Sequence, residues 1–147
     1  MFPPLLPFVS LQAKRAFLQS RLLDPYTLFH MDTFSTLLWH TSSPLLLSLL
    51  AQELLDISRS EPEPWIALGN AFSLEKEHDE AMRCFRRAAQ VANIAGIGKG
   101  GCAYAWTLSG HEAVSMEEFD RAIAFFQTAV RIDRRHFNAW FVPSCSP

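Results

Sequence analysis

A pattern of aromatic and small residues recurs in this chain at a spacing of 41. Trp65, Leu68, Gly69 and Phe72 are followed by Ala81, Phe85 and Ala88; the same order returns as Trp106, Ser109, Gly110 and Ala113, then Ala122, Phe126 and Ala129. Self-similarity with a period of roughly 20 to 50 residues restricts the architecture to solenoids, propellers and related arrays. The spacing within each unit chooses among them. Trp65, Leu68, Gly69 and Phe72 stand at i, i+3, i+4 and i+7, one face of a helix, and Ala81, Cys84, Phe85 and Ala88 make a second such stripe. Two amphipathic helices therefore alternate, and the fold class is all-α. Gly69 and Ala81 let the backbones of a pair approach where they cross, while Trp65 and Phe85 fill the space alongside. A larger residue at Gly69 is expected to push the pair apart.

Local signals agree with helices at these places. Ser60 and Glu63 resemble a capping box with Pro62 in the first turn, and Glu77, Asp79 and Glu80 precede Arg83, Arg86 and Arg87 in the order that complements a helix dipole. The pair Glu117-Glu118 is read as the first turn of another helix, where dipole compensation accounts for two adjacent carboxylates without acid-base chemistry.

The unit WxxLGxxF, then AxxxFxxA, resembles the tetratricopeptide repeat, a pair of antiparallel helices about 34 residues long. Stepping back 34 residues from Trp65 reaches Met31, with Phe34, Ser35 and Leu38 on a first stripe and Leu47, Ala51 and Leu54 on a second. A further step reaches Ala13 and Phe17, with Pro25 at the closing position. The expected organisation is an α-solenoid: an unstructured segment 1–7, a half repeat 8–27, a degenerate repeat 28–61, repeats 62–95 and 103–136 separated by a glycine-rich insertion 96–102, and an aborted repeat with tail 137–147. The insertion, seven residues beyond the 34-residue period, carries the spacing GxGxxG at Gly96, Gly98 and Gly101. Such a loop cradles a phosphate only between a strand and a helix, and no strand leads into it. A flexible loop bulging outward from the array is expected instead.

Several phrases exceed what the repeat requires: MDTFSTLLWH (31–40), GNAFSLEKEHDEAMRCFRRAAQV (69–91), AYAWTLSGHE (103–112) and FDRAIAFFQTAVRIDRRHFNAW (119–140). They resemble subunit 3 of the anaphase-promoting complex, in a fungal-like form, from Gln12 to Trp140. The resemblance implies a non-catalytic scaffold without a cofactor in a nuclear ubiquitin ligase that controls cell division. It implies other repeat subunits as partners, and Ile-Arg-tailed coactivator peptides in a C-terminal groove that the matched central stretch stops short of completing. The dimerisation repeats of the family lie outside the matched stretch.

In this repeat the first helix of each pair lines the concave side, with its fifth, ninth and twelfth positions pointing inward. These are Ile66, Asn70 and Ser73, then Thr107, His111 and Val114. The amide of Asn70 suits a peptide backbone, which it can hold by two hydrogen bonds; the alternative is that Asn70 and His111 bond within the scaffold. Glu63 and Glu77 could meet an arginine, or belong to a solvated face.

Composition narrows the remaining classes. Thirteen basic against fifteen acidic residues give a net charge of −2, which argues against nucleic acid or a membrane surface as partner. Three cysteines without CxxC spacing suggest neither zinc nor a disulfide framework. The apolar start MFPPLLPFVSL lacks a basic region and carries three prolines, unlike a signal peptide, and the longest apolar stretch, Pro44 to Ala51, is too short to span a bilayer. A soluble intracellular protein, nuclear by the resemblance and otherwise cytoplasmic, is expected. His30, His40, His78, His111 and His136 form no HExxH or Cys-His motif, so no enzyme is indicated; His40, beside Trp39 at a helix end, is read as structural. Two other readings stay open: a free-standing repeat adaptor that grips a peptide carboxylate, for which basic inward residues are lacking, and a truncated repeat fragment without an independent role.

Overall fold

A computed structural model describes residues 6–94 and 99–134. Within them the chain forms α1 (Leu6–Leu23), α2 (Met31–His40), α3 (Pro44–Ile57), α4 (Pro62–Leu74), α5 (His78–Ile94), α6 (Lys99–Ser115) and α7 (Phe119–Ile132), with no strand among the described residues. Consecutive helices pack, and the first helices of successive pairs, α2, α4 and α6, also touch one another. Helix α1 supplies the second helix of a half pair, and Phe17 on it stacks on Phe34 of α2 with ring centroids 4.9 Å apart. It starts two residues inside the segment expected to be unstructured. The aborted repeat, residues 137–147, lies outside the described residues.

Each pair closes on a glycine and a phenylalanine. A Cβ built on Gly69 would fall 2.7 Å from Phe85 Cδ1, and one on Gly110 would fall 2.6 Å from Phe126 Cε1, both closer than carbon atoms approach. The aromatic ring occupies the volume that any side chain would need. Both phenylalanines are buried, as are Ala81, Ala88, Ala122 and Ala129, while Trp65, Leu68, Phe72 and Trp106 are half-buried along the flanks. Trp65 donates its indole N–H to the Arg59 carbonyl at 2.9 Å and lies under the Arg87 guanidinium. The degenerate repeat buries the stripes its period predicts: Met31, Phe34, Ser35 and Leu38 on α2, and Leu47, Ala51 and Leu54, joined by Leu50, on α3.

All three turns within pairs have one construction. Ser43, Lys76 and Glu117 stand in or beside turns where the chain reverses; in each, a C-terminal N–H returns to the carbonyl five residues back, as Ser43 to Leu38, Glu77 to Phe72 and Glu118 to Ala113. The residue before it bonds three back, and that residue, Ser42, Lys76 or Glu117, has a positive φ of 51°, 67° or 61°. This is the Schellman arrangement, filled here by residues other than glycine.

Three local expectations are corrected. Helix α4 begins at Pro62 with Glu61 as its N-cap and no side-chain cap bond, so Ser60 and Glu63 do not form a capping box. The ring of Pro62 is preorganised for the first helical position, and Pro64 two residues on has no N–H for a cap to satisfy. Glu117 and Glu118 precede α7 rather than open it: Glu117 makes the left-handed turn, and Glu118, the N-cap, pairs with Arg121 at 2.5 Å. Of the insertion expected at 96–102, residues 96–98 lie outside the described residues, and 99–102 are the start of α6 rather than a loop. The bounds of α3 and α4 leave residues 58–61 between pairs, and those of α5 and α6 leave 95–98, again four. Relative to its counterparts α5 runs three residues longer, 92–94, and α6 starts four earlier, 99–102, so the extra seven are taken up as helix. Ala92 is fully buried with Ala88, Ala89, Ala105 and Ile66, which shows why the extension of α5 is favourable and why the last pair still stacks on the one before.

Candidate functional site: the concave strip

Helices α2, α4 and α6 lie side by side, and α4 packs against α2, α3, α5 and α6. Of the inward positions, Ile66, Asn70, Ser73 and Thr107 are at most 6 % exposed. Ile66 belongs to the apolar cluster with Ala89 and Ala105, and the Thr107 hydroxyl donates to the Ala103 carbonyl of its own helix at 2.9 Å. Val114 is half-buried against the cluster around Phe126. His111 is the exposed member, its ring edge-on to Phe126 at 5.1 Å. The six inward positions are thus mostly the seam between first helices. A helix in the middle of an array buries the face that a terminal helix would show to solvent.

Polar groups on this seam join the repeats in two ladders. In the first, Asn70 on α4 donates its side-chain N–H groups to Ser35 Oγ at 2.9 Å and Thr36 Oγ1 at 3.2 Å, both on α2. Tyr104 reaches from α6 past α4 to hydrogen-bond the same Thr36 hydroxyl. Thr36 can donate to the Asp32 carbonyl at 3.2 Å and accept from both Asn70 and Tyr104, which uses its full capacity. Burial pushes the Tyr104 phenol up to about 12, so it stays protonated and able to donate. In the second ladder the Trp39 indole N–H donates to Ser73 Oγ at 3.1 Å, Ser73 donates to Glu112, and His78 Nδ1 meets the other Glu112 oxygen at 2.7 Å. Glu112 is buried, and its carboxylate is satisfied by residues of α4 and α5.

Beside the first ladder lies an acidic corner. Glu63, in the first turn of α4, is half-buried; burial raises its carboxyl above the usual range, a bond to its own backbone opposes this, and Asp32 and Glu61 push it further up. Its Oε2 is buried without a hydrogen-bond partner. Such an oxygen favours an incoming cationic donor, since an unpaired buried acceptor carries its full desolvation penalty. Glu77, by contrast, is exposed in the turn before α5.

Thr36, Trp39, Tyr104, Glu112 and His78 were not singled out by sequence reasoning. A signal existed for two of them: Thr36 and Trp39 stand 34 residues before Asn70 and Ser73, at the ninth and twelfth positions of the degenerate repeat. His40 is edge-on to Trp39 at 5.0 Å, with its imidazole lowered by burial, in keeping with a structural place. Among the described residues no group of three His, Cys, Asp or Glu side chains could hold a metal, and no helix is long and apolar enough to cross a membrane. Cys84 is buried, its thiol pushed up to about 11 by burial.

The tetratricopeptide repeat model matches residues 62–93 and 103–136. Protein bimA of Emericella nidulans is 39% identical over 130 residues, 88% of this chain and 15% of the relative. Anaphase-promoting complex subunit 3 of Schizosaccharomyces pombe is 38% identical over 130 residues, 88% of this chain and 18% of the relative. Cell division cycle protein 27 homolog B of Arabidopsis thaliana is 43% identical over 131 residues, 89% of this chain and 17% of the relative. The chain therefore spans less than a fifth of the length of these curated relatives. A solved structure of MamA shares the fold, with a TM-score of 0.57 at 20% identity over 87% of this chain and 71% of that one. The repeat architecture and these matches agree on one lineage: the chain belongs to the anaphase-promoting complex subunit 3 (cell division cycle protein 27) family of tetratricopeptide-repeat proteins, of which it represents a stretch.

Proposed function

We propose that this stretch acts as a non-catalytic interaction scaffold within an anaphase-promoting complex in the nucleus. It stacks on neighbouring repeats, contacts other repeat subunits, and offers its concave strip to the Ile-Arg tail of a coactivator. The observation that carries the peptide reading is the acidic corner. The unpaired Glu63 oxygen, with Asp32 nearby, is chemically matched to a guanidinium, which can form charge-assisted bonds. Next to it, the amide of Asn70 and the hydroxyls of Ser35 and Thr36 form a row of groups able to exchange their internal bonds for those of an extended backbone. A site built to grip a carboxylate by basic residues would need the opposite charge here.

The test is calorimetric titration of the chain with a short peptide ending in Ile-Arg, against one ending in Ile-Ala. Saturable binding of the first, weakened at least tenfold for the second and for Glu63→Gln, is the expected result. Equal binding of both peptides would remove the guanidinium from the account and with it the assignment of this corner.

A further inference from the structure

The Tyr104 side chain bridges helices that are not sequence neighbours in the array. Its phenol leaves α6, passes the seam face of α4 and bonds Thr36 on α2. The same Thr36 hydroxyl accepts one of the two Asn70 bonds, so Tyr104 and Asn70 converge on a single oxygen. Asn70 lies beneath, 4 % exposed, with its donors spent on Ser35 and Thr36. A backbone that is to use the Asn70 amide must reach it past the phenol and take over at least one of these bonds.

We propose that Tyr104 is a latch over the concave strip, holding it closed through Thr36, and that a peptide enters by displacing the Tyr104–Thr36 bond. The inference rests on the peptide-binding reading for the identity of what enters, but the latch itself is a property of the free chain. Opening is a conformational toll on binding: apparent affinity is reduced by the fraction of molecules in which the strip is accessible. Removal of one neutral hydrogen bond that exists only in the closed state should shift that fraction about fivefold.

Tyr104→Phe and Thr36→Val cut the bond from opposite sides, the second also removing an acceptor of Asn70, and circular dichroism should show that each folds. Two measurements follow. In the free protein, exchange of the Asn70 side-chain amide hydrogens with solvent, read by NMR, should quicken about fivefold in Tyr104→Phe. In the peptide titration, the Ile-Arg peptide should bind Tyr104→Phe about fivefold more tightly than the parent chain. If Asn70 exchange is unchanged in Tyr104→Phe, which leaves both Asn70 acceptors in place, the latch is wrong, whatever the peptide does. If exchange quickens but no Ile-Arg peptide binds any form, the latch stands and the peptide reading fails. If Tyr104→Phe binds the peptide more weakly, the phenol is a ligand contact rather than a latch, and the proposal is overturned.

Discussion

At the scale of single residues, Gly69 and Gly110 are contacts of zero side-chain volume against Phe85 and Phe126. Ala at position 69 drives a methyl into a ring held on all sides, and Gly69→Ala should cost about 1–3 kcal/mol in denaturant unfolding. Pairing it with Phe85→Leu should return part of that loss, a coupling that a double-mutant cycle measures directly. Glu63 has its own signature in pH. Its folded carboxyl titrates above its unfolded value, so the folded state holds the proton more tightly, and stability falls as pH rises from the unfolded carboxylate range through the folded pKa. The denaturation midpoint of Glu63→Gln should therefore depend less on pH, from the ordinary carboxylate range upward, than that of the parent chain. Binding of a guanidinium beside Glu63 should release a proton, visible as a buffer-dependent heat. The glycines and their phenylalanines were readable in advance because a repeated motif fixes spacing. The bond between Thr36 and Tyr104 was not, because it joins the least regular repeat to a tyrosine one repeat beyond its neighbour.

At the scale of the helix, the turns carry cost that the sequence does not announce. Lys76 and Glu117 adopt the left-handed conformation that a Cβ disfavours, and both lie in Schellman turns where glycine is the usual occupant. Lys76→Gly should raise stability by about 0.5–1 kcal/mol, whereas Glu75→Gly, at a residue with ordinary φ, should lower it. The insertion is the other lesson at this scale. Glycine content argues for a loop, yet the buried Ala92 and the docking of α6 reward continued helix, and tertiary contact overrides local propensity. Gly100→Ala with Gly101→Ala should add up to about 1 kcal/mol each, read as a higher melting temperature. A loop with glycine-only backbone angles would respond in the opposite direction. The capping box failed for a comparable reason: a motif read from side-chain types alone ignored that prolines at 62 and 64 decide where the helix can start.

At the scale of the whole molecule, the fold class and the pairing of helices were legible, since a period is a statement about the array rather than about any one element. What the period conceals is how strongly units are tied together. A solenoid is ordinarily described by contacts between nearest neighbours. Here Glu112 links α6 to Ser73 on α4 and His78 on α5, and Tyr104 links the third pair to the first. Glu112→Ala strips buried Ser73 and half-buried His78 of their shared acceptor and should cost about 2–4 kcal/mol. Hydrogen exchange should then show α6 and α7 opening apart from α4 and α5, where the parent chain opens as one unit.

The lengthened helices at residues 92–94 and 99–102 also have a geometric outcome. Three residues added to α5 and four to α6 lengthen these helices by about 4 and 6 Å beyond their counterparts. An array of look-alike units gives an approaching subunit no way to tell one repeat from the next, and a shift by one register costs it little. Longer helices at a single junction break that equivalence. Their added length gives this edge a datum mark, one place where the spacing of the helix ends differs from that of the others.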